Sequence, residues 1–487
     1  MPGFTPVRRW QAPYRPFKHE PLGDRTLELI ERMVKGPLWG CRMCGNCLLQ
    51  ETAFICPMEC PKGLRNGPCG GSTPEHCYVD ETRACVWYKI YERAEKMGRV
   101  ERLMEVLPPL DWSKTGTHTW IDVIDKWKEM GGVKGMFSPP VRSPIHADPP
   151  IKAGRAANFK ANWERLFYEV RQPDWWQGDS LPHPAPEHEP VSILERKLRD
   201  GQFVLTAEIA PPLAADPADV IKKVNLLKDW VDATNFTDNP SATPRMSSLA
   251  CSLIAMQNGV EPVLQISARD RTRMGFQAEV LGAAALGIRN ILCLTGDHPI
   301  LGPAPHGRMD IWDLDAVQMV WLLRRMRDEG RLLDCRELKC APQVFIGAAA
   351  SPFASTPYIQ SVREHKKVNA GAQFMQTQLI FDLDGFKRYL DALDKRGVLG
   401  RVGLLAGISP VRSVKAAAAM AQVPGVKIPQ AYIERLERSA DPKEESVMMT
   451  LELVDGIRKL PGVSGIHFMA VGWESIVPRL VKDSGLR

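Results

Sequence analysis

Eight of the twelve cysteines in this 487-residue chain fall between Cys41 and Cys85. They run Cys41-x2-Cys44-x2-Cys47-x8-Cys56-x3-Cys60-x8-Cys69-x7-Cys77-x7-Cys85. Three cysteines at x2 spacing can wrap one inorganic cluster, and a fourth followed by proline completes a three-plus-one ligand set. Cys-Pro occurs twice, at Cys56 and Cys60. Eight thiolates are enough for two [4Fe–4S] clusters. Structural zinc is the alternative, because CxxC-type pairs also build all-thiolate tetrahedral sites. His76, beside Cys77, is either a further ligand or a bystander. Cys251, Cys293, Cys335 and Cys340 are scattered and read as small buried hydrophobes.

A second set of reactive side chains follows short apolar runs: Glu208 in TAEIAPP, Thr237 with Asp238 and Asn239, and Gln265 with Ser267, Arg269 and Asp270. Asp297 follows Thr295 and Gly296 in LTGDHP, and Gln376 and Gln378 lie within QTQLIFD. Carboxyl groups here can move protons or stabilise positive charge, and amides can donate and accept at once. Each alone has a plainer explanation as a helix cap or a solvated side chain. Several such groups delivered to one rim are harder to explain structurally.

The elements that would carry them lie beyond residue 195. Eight β-rich runs recur there: FVLTAEI, ATNFTDN, PVLQISA, NILCLTG, QVFIGAAA, FMQTQLIFD, VGLLAGISP and GIHFMAVG. Helix-compatible stretches such as ADVIKKVNLLKDW and LDAVQMVWLLRRMRDEG separate them. Eight buried strands alternating with helices predict an α/β fold, a (β/α)8 TIM barrel, in which chemistry gathers at the C-terminal strand ends. An open doubly wound sheet would give the same local pattern. The composition predicts three zones: a cysteine-rich metal-binding domain over 1–104, a Pro/Trp-rich linker or arm over 105–191, and the barrel over 192–487. Proline at the density of SPPVRSPIHADPPIKAG defeats long helices, so the arm should hold only short ones, with its tryptophans anchoring it to its neighbours.

Composition excludes several classes. The chain is 44% hydrophobic and 25% charged, with 63 basic residues against 57 acidic ones. No basic stripe interleaved with aromatics points to nucleic acid. No apolar run reaches the ~18 residues of a membrane span, and the opening residues lack the apolar core of a secretory signal. A cytoplasmic location is the expectation.

The motifs TAEIAPP, LTGDHP, HKKVNAGAQFMQTQLIFD and LLAGISP, in this order, resemble methylenetetrahydrofolate reductases over roughly Ser192 to Trp473. The resemblance implies a noncovalent flavin, FAD or FMN, that passes hydride from N5 to the methylene carbon of 5,10-methylenetetrahydrofolate. It implies Glu208 as the general acid that protonates the departing nitrogen, with a pKa raised by a dry pocket. Asp297 is implied to stabilise developing positive charge near the pterin and to lower the flavin potential. Gln378 is implied to hydrogen-bond the pterin. Thr237, Gln265, Thr295, Gly296, Asp297, Ala350 and Ser351 match flavin-side positions, and Lys367 matches a lysine reaching the flavin phosphate. The match departs from better-known members at Gln265 (a histidine there), Thr295 (an arginine) and Gln360 (an acidic contact).

The segment GNCLLQETAFICPMECPKGLRNGPCGG resembles the cysteine-rich companion subunit of acetogen methylenetetrahydrofolate reductases, here fused ahead of the barrel. That resemblance implies an electron-donor protein as partner and electrons passing through iron–sulfur clusters. NAD(P)H remains the other donor, and oxidation of the methyl-folate is open as the direction. A homo-oligomer is expected. The rival readings are a tetrahydrofolate-linked methyltransferase barrel and a non-catalytic folate-binding scaffold.

Overall fold

The computed structural model describes residues 22–114, 117, 119–140, 154–171, 187–303, 312–423, 425–470 and 472–487. SPPVRSPIHADPPIKAG and LPHPAPEHEP therefore lie largely outside the described residues, as do Trp175 and Trp176. Two compact units are present: Met1–Arg65 with Val86–Leu181, and Asn66–Cys85 with Pro182–Arg487. The segment Asn66–Cys85, inside the cysteine run, thus packs with the barrel residues.

The larger unit is a closed barrel of eight parallel strands in chain order. The strands are β1 (Val204–Ile209), β2 (Ala233–Phe236), β3 (Pro262–Ser267), β4 (Asn290–Leu294), β5 (Phe345–Ala350), β6 (Phe374–Leu379), β7 (Gly403–Ile408) and β8 (Gly465–Phe468). Each of the eight expected runs forms one strand, and β8 closes on β1 with Thr206 opposite His467. The open doubly wound sheet is excluded.

Helices in the smaller unit are α1 (Leu22–Trp39), α2 (Val86–Lys96), α3 (Trp120–Glu129), α4 (Gly132–Met136) and α5 (Arg155–Arg171). In the larger unit α6 (Ile193–Arg199) precedes the barrel, and α7 (Ala218–Leu227), α8 (Ser248–Gln257), α9 (Arg273–Ala285), α10 (Ala316–Asp328), α11 (Pro357–Ala370) and α12 (Leu383–Lys395) alternate with the strands. The last helices are α13 (Val414–Met420), α14 (Gln430–Arg438), α15 (Pro442–Ile457) and α16 (Val477–Asp483). Side-chain caps start most barrel helices: Thr272 accepts from Gly275, Thr356 from Ile359 and Asp382 from Gly385. Each satisfies an N–H that the first turn cannot.

Hydrophobic residues fill the barrel floor. Leu194 of α6 packs with Val204, Ala233, Val263, Phe345 and Phe374 from the strand starts. Phe374 stacks on Phe345 with ring centroids 4.8 Å apart. A Cβ at Gly347 would lie 2.3 Å from the Phe374 ring, so only glycine leaves that ring its place.

Two expectations need correction. Cys251 and Cys293 are buried, but Cys335 is half-buried and Cys340 is exposed, because both lie in the surface turn that joins α10 to β5. The 105–191 zone also holds a 17-residue helix, α5, in a stretch free of proline. Of its described tryptophans, Trp112 joins a core with Cys44, Leu49 and Leu110, while Trp163 is exposed and stacks on Phe159. Among the described residues, no helix is long and apolar enough to cross a membrane.

Candidate active site at the barrel mouth

Strand parity puts Thr206 and Glu208 on the same face of β1, one layer apart. The lower layer is a hydrogen-bonded ring. Asn235 of β2 and Gln376 of β6 pair amide to amide, with Gln376 Nε2 donating to Asn235 Oδ1 at 3.0 Å. Gln376 Nε2 also donates to Thr206 Oγ1 at 3.2 Å. Thr206 Oγ1 lies 2.9 Å from His467 Nδ1 on β8. Thr206 thus engages one ring nitrogen of His467 and leaves Nε2 for the layer above.

That Nε2 faces Glu208 Oε2 at 3.7 Å, and Gln265 Nε2 donates to the same oxygen at 3.1 Å. Glu208 is 9% exposed. Gln265 therefore serves first as a clamp on the carboxyl group. Gln376 was singled out in the sequence only as a polar residue on its strand, and His467, Asn235 and Thr206 were not among the predicted site residues. The parity of β1 and the match of GIHF to the TAEI strand carried the only signal for them.

Asp297 stands on the rim after β4. It does not cap the helical turn that follows, because His298 accepts from Ile300 N there. Its Oδ2 accepts instead from the backbone N–H of Ser241 at 2.9 Å. That N–H is presented by a left-handed run after β2, with φ of 48° at Asn239, 53° at Ser241 and 52° at Ala242. Such φ values in non-glycine residues store strain, which collects at functional sites.

Gly296 has φ 84°, and a Cβ there would lie 2.9 Å from Arg269 Cβ, so the backbone before Asp297 stays bare. Thr295 offers its carbonyl to Trp312 Nε1 at 3.0 Å. Thr237 Oγ1, after β2, is buried without a hydrogen-bond partner. Asp238 is engaged structurally, accepting from Ser267 N at 2.8 Å and from Arg271.

On the other side of the mouth, Ala350 ends β5 and Ser351 N donates to Glu364 Oε1 at 3.2 Å. Lys367 Nζ donates to Glu364 Oε2 at 2.8 Å and to the carbonyl of Ala349. Burial pushes the Lys367 ammonium below the ordinary lysine range, and Glu364 opposes that shift. The fully buried Glu364 is thus a further residue missing from the sequence expectation. Gln360 is bound by Arg363. The β6–β7 register shifts between Gln376 and Leu379, and this irregularity re-aims Gln378. Gln378 Oε1 accepts from Leu379 N at 3.0 Å.

In the smaller unit, Cys41, Cys44, Cys47 and Cys56 line one cavity with Glu31 and Lys35. Backbone N–H groups point at the sulfurs, with Met43 N 3.4 Å from Cys41 Sγ. Burial and the neighbouring thiols push Cys41 up to about 11, although the Met43 N–H opposes this. Burial likewise raises Cys47, with Lys35 opposing. Among the described residues, no group of three or more His, Cys, Asp or Glu side chains is arranged to hold a single metal ion. Cys60 also belongs to this unit, whereas Cys69, Cys77 and Cys85 are buried in the larger one. His76 is exposed, its Nδ1 3.1 Å from the Glu81 carbonyl.

Residues 193–485 match the family model described as methylenetetrahydrofolate reductase, which is more than half of the chain. The chain belongs to the methylenetetrahydrofolate reductase family. A second model, described as methylene-tetrahydrofolate reductase C terminal, matches residues 21–113 and so covers all eight clustered cysteines.

Among curated relatives, methylenetetrahydrofolate reductase 2 of Schizosaccharomyces pombe is 22% identical over 254 residues, 50% of this chain and 39% of that protein. The 5,10-methylenetetrahydrofolate reductase of Salmonella typhimurium is 25% identical over 295 residues, 59% of this chain and 92% of that protein. The Escherichia coli enzyme of the same name is 24% identical over 294 residues, with the same coverage. The chain thus spans less than half the length of the yeast relative. In this member of the methylenetetrahydrofolate reductase family, Glu208, Gln265 and His467 form the buried end of the mouth and Asp297 its rim.

Proposed function

We propose that the barrel interconverts 5,10-methylenetetrahydrofolate and 5-methyltetrahydrofolate with a noncovalent flavin, and that electrons are routed through an iron–sulfur centre held by the N-terminal cysteines. The observation that carries the reading is Glu208, set in the mouth of a closed barrel with one oxygen bound by Gln265. Three curated relatives named as such reductases support it.

The mouth fits a flavin in one respect: Thr237 Oγ1, after β2, is buried without a hydrogen-bond partner. A flavin bound there would supply the hydride for the methylene carbon. Gln265 occupies Oε2 of Glu208, so the catalytic proton is carried on Oε1 and passes from there to the departing nitrogen of the folate. His467, with Nε2 3.7 Å from the same Oε2 that Gln265 occupies, packs beside that carboxyl. Asp297 supplies the negative charge that stabilises the iminium ion. Gln378 trades its bond to Leu379 N for the pterin, and Lys367 trades Glu364 for a flavin phosphate.

The cysteine cavity fits an inorganic cluster better than a lone ion. Four thiols line that cavity with the Met43 N–H aimed at the Cys41 sulfur, and their CxxCxxC spacing suits a cluster. Cys41, Cys44, Cys47 and Cys56 are the ligands assigned to it, and it would supply one-electron transfer. Cys69, Cys77 and Cys85 are the remaining candidate ligands in the larger unit.

A visible spectrum of the anaerobically purified chain tests both halves of the reading. Oxidised flavin bands in the near-ultraviolet and blue are expected, with a broad violet shoulder that dithionite bleaches. Absence of flavin bands from folded protein sinks the first half. Zinc without iron in metal analysis sinks the second.

A further inference from the structure

Arg269 follows β3 and is 3% exposed, so its guanidinium must find its partners inside the protein. It joins the loops that follow three neighbouring strands. Nη1 donates to the Asp297 carbonyl, after β4, at 3.3 Å, and Nη2 donates to the Asp238 carbonyl, after β2, at 3.4 Å. Nε and Nη2 also donate to the Asp270 carboxylate, at 3.0 Å and 2.7 Å, in the forked geometry that arginine makes with a carboxylate. The stem of the side chain lies against the backbone before Asp297, since a Cβ at Gly296 would come within 2.9 Å of Arg269 Cβ.

Asp270 carries these ties on to the loop after β2. Its Oδ2 accepts from Asn239 Nδ2 at 3.2 Å. Asn239 opens the left-handed run, with φ 48° and ψ 58°, and its Oδ1 accepts from Arg245 N at 3.0 Å. Two residues further on, Ser241 N donates to Asp297 Oδ2 at 2.9 Å. Non-glycine residues in such backbone cost about 1–3 kcal/mol each, so the run persists only where its surroundings hold it. The hydrogen bonds therefore close a circuit. Arg269 holds Asp297 directly by its carbonyl, and through Asp270, Asn239 and the strained run it also holds the carboxylate.

We propose that Arg269 is a positioning residue of the reductase site, and that it fixes the Asp297 carboxylate at the barrel mouth by this circuit. The proposal rests on the role given to Asp297 above. A carboxylate held at both its backbone and its side chain need not reorganise when the iminium charge develops, so the benefit falls on the transition state and not on folate binding. Lysine cannot replace this arginine, because a single ammonium cannot make the fork to Asp270 and reach both carbonyls at once.

The test uses the full flavin-loaded chain and follows oxidation of 5-methyltetrahydrofolate by an artificial quinone acceptor, together with flavin potentiometry. Arg269→Lys keeps the positive charge and removes the fork. It should retain flavin, with kcat reduced on the order of ten-fold and KM within about two-fold of wild type, as expected for a misplaced charge felt in the transition state. The flavin midpoint potential should rise, because a displaced Asp297 weighs less on the reduced ring while the charge at position 269 is unchanged. In an Asp297→Asn background the same substitution should change kcat little, since Arg269 acts through that carboxylate.

Wild-type kcat and potential in Arg269→Lys would overturn the proposal. So would a full additional loss in the Asp297→Asn background, or an effect on KM alone. If Arg269→Lys fails to fold, Asn239→Gly serves instead. Glycine adopts the left-handed backbone freely but cannot bond Asp270, and it must reproduce the kcat loss or the proposal falls. A wild-type chain with no methyltetrahydrofolate activity at all would instead refute the proposed function.

Discussion

At the scale of single residues, Glu208 is defined by what surrounds it. Gln265 donates to Oε2 and His467 Nε2 lies 3.7 Å from it, so in the proposed reaction Oε1 is the oxygen that faces the substrate. Glu208→Gln keeps the shape and the contact with Gln265 but removes the acid. It should bind flavin and accept electrons from dithionite, yet lose at least ~100-fold in folate turnover, the usual contribution of a positioned acid. Single-turnover absorbance at the flavin band measures both steps. Glu208 was legible in the sequence because TAEIAPP ends an apolar run with a carboxylate. His467 was not, because one histidine inside GIHFMAVG looks like any core histidine until β8 is paired with β1. Glu364 escaped notice for a similar reason: a charged residue in the amphipathic α11 reads as solvent-facing, and only the packing against β5 buries it.

At the scale of elements, the alternation of apolar runs and capped helices made the barrel legible, since each strand needs burial on both faces. The bend that re-aims Gln378 was not legible, because a register shift between β6 and β7 depends on how two distant segments pair. Close packing at the floor yields a prediction. Gly347→Ala places a methyl 2.3 Å from Phe374 and should cost about 1–3 kcal/mol, seen as a lower melting temperature.

In the smaller unit, α1 and α3 are joined by Glu31, which accepts from Lys35 Nζ at 2.6 Å, Thr119 N at 3.0 Å and Trp120 N at 2.9 Å. Burial raises the Glu31 pKa, but Lys35 and the two N–H groups outweigh it and hold the carboxyl below its usual 4.5. The stability this contributes is full above about 4.5 and is lost as pH falls through the lower folded-state value. Glu31→Gln should therefore cost about 3 kcal/mol near neutrality, and the gap from wild type should narrow as pH falls from 4.5 through the lower folded-state value. Denaturant melts followed at two pH values check this.

At the scale of the whole molecule, flavin and metal belong to separate units in the proposed reading and should separate by mutation. Cys44→Ala should abolish the dithionite-sensitive shoulder and the bound iron while flavin stays stoichiometric. Flavin reduction by the natural donor should then slow by an order of magnitude or more, and unchanged reduction would make the cluster structural. Composition made the cysteine-rich zone visible, because metal-ligand spacing is local. It could not reveal that Cys41 to Cys56 and Cys69 to Cys85 fall in different compact units, since that division is set by contacts between residues far apart in sequence.

The bond from Asn66 to Asp315 spans 249 residues, and this affects how the protein is made. On the ribosome, Asn66–Cys85 emerges long before the strands it borders. At ~5–20 residues per second, it waits on the order of ten seconds or more for a partner. During that interval its three thiols and the Tyr78 ring have no barrel to cover them, and closing so long a loop is slow. Cells that supply metal or a chaperone early in synthesis should thus give more active enzyme from the same message than cells that supply them late.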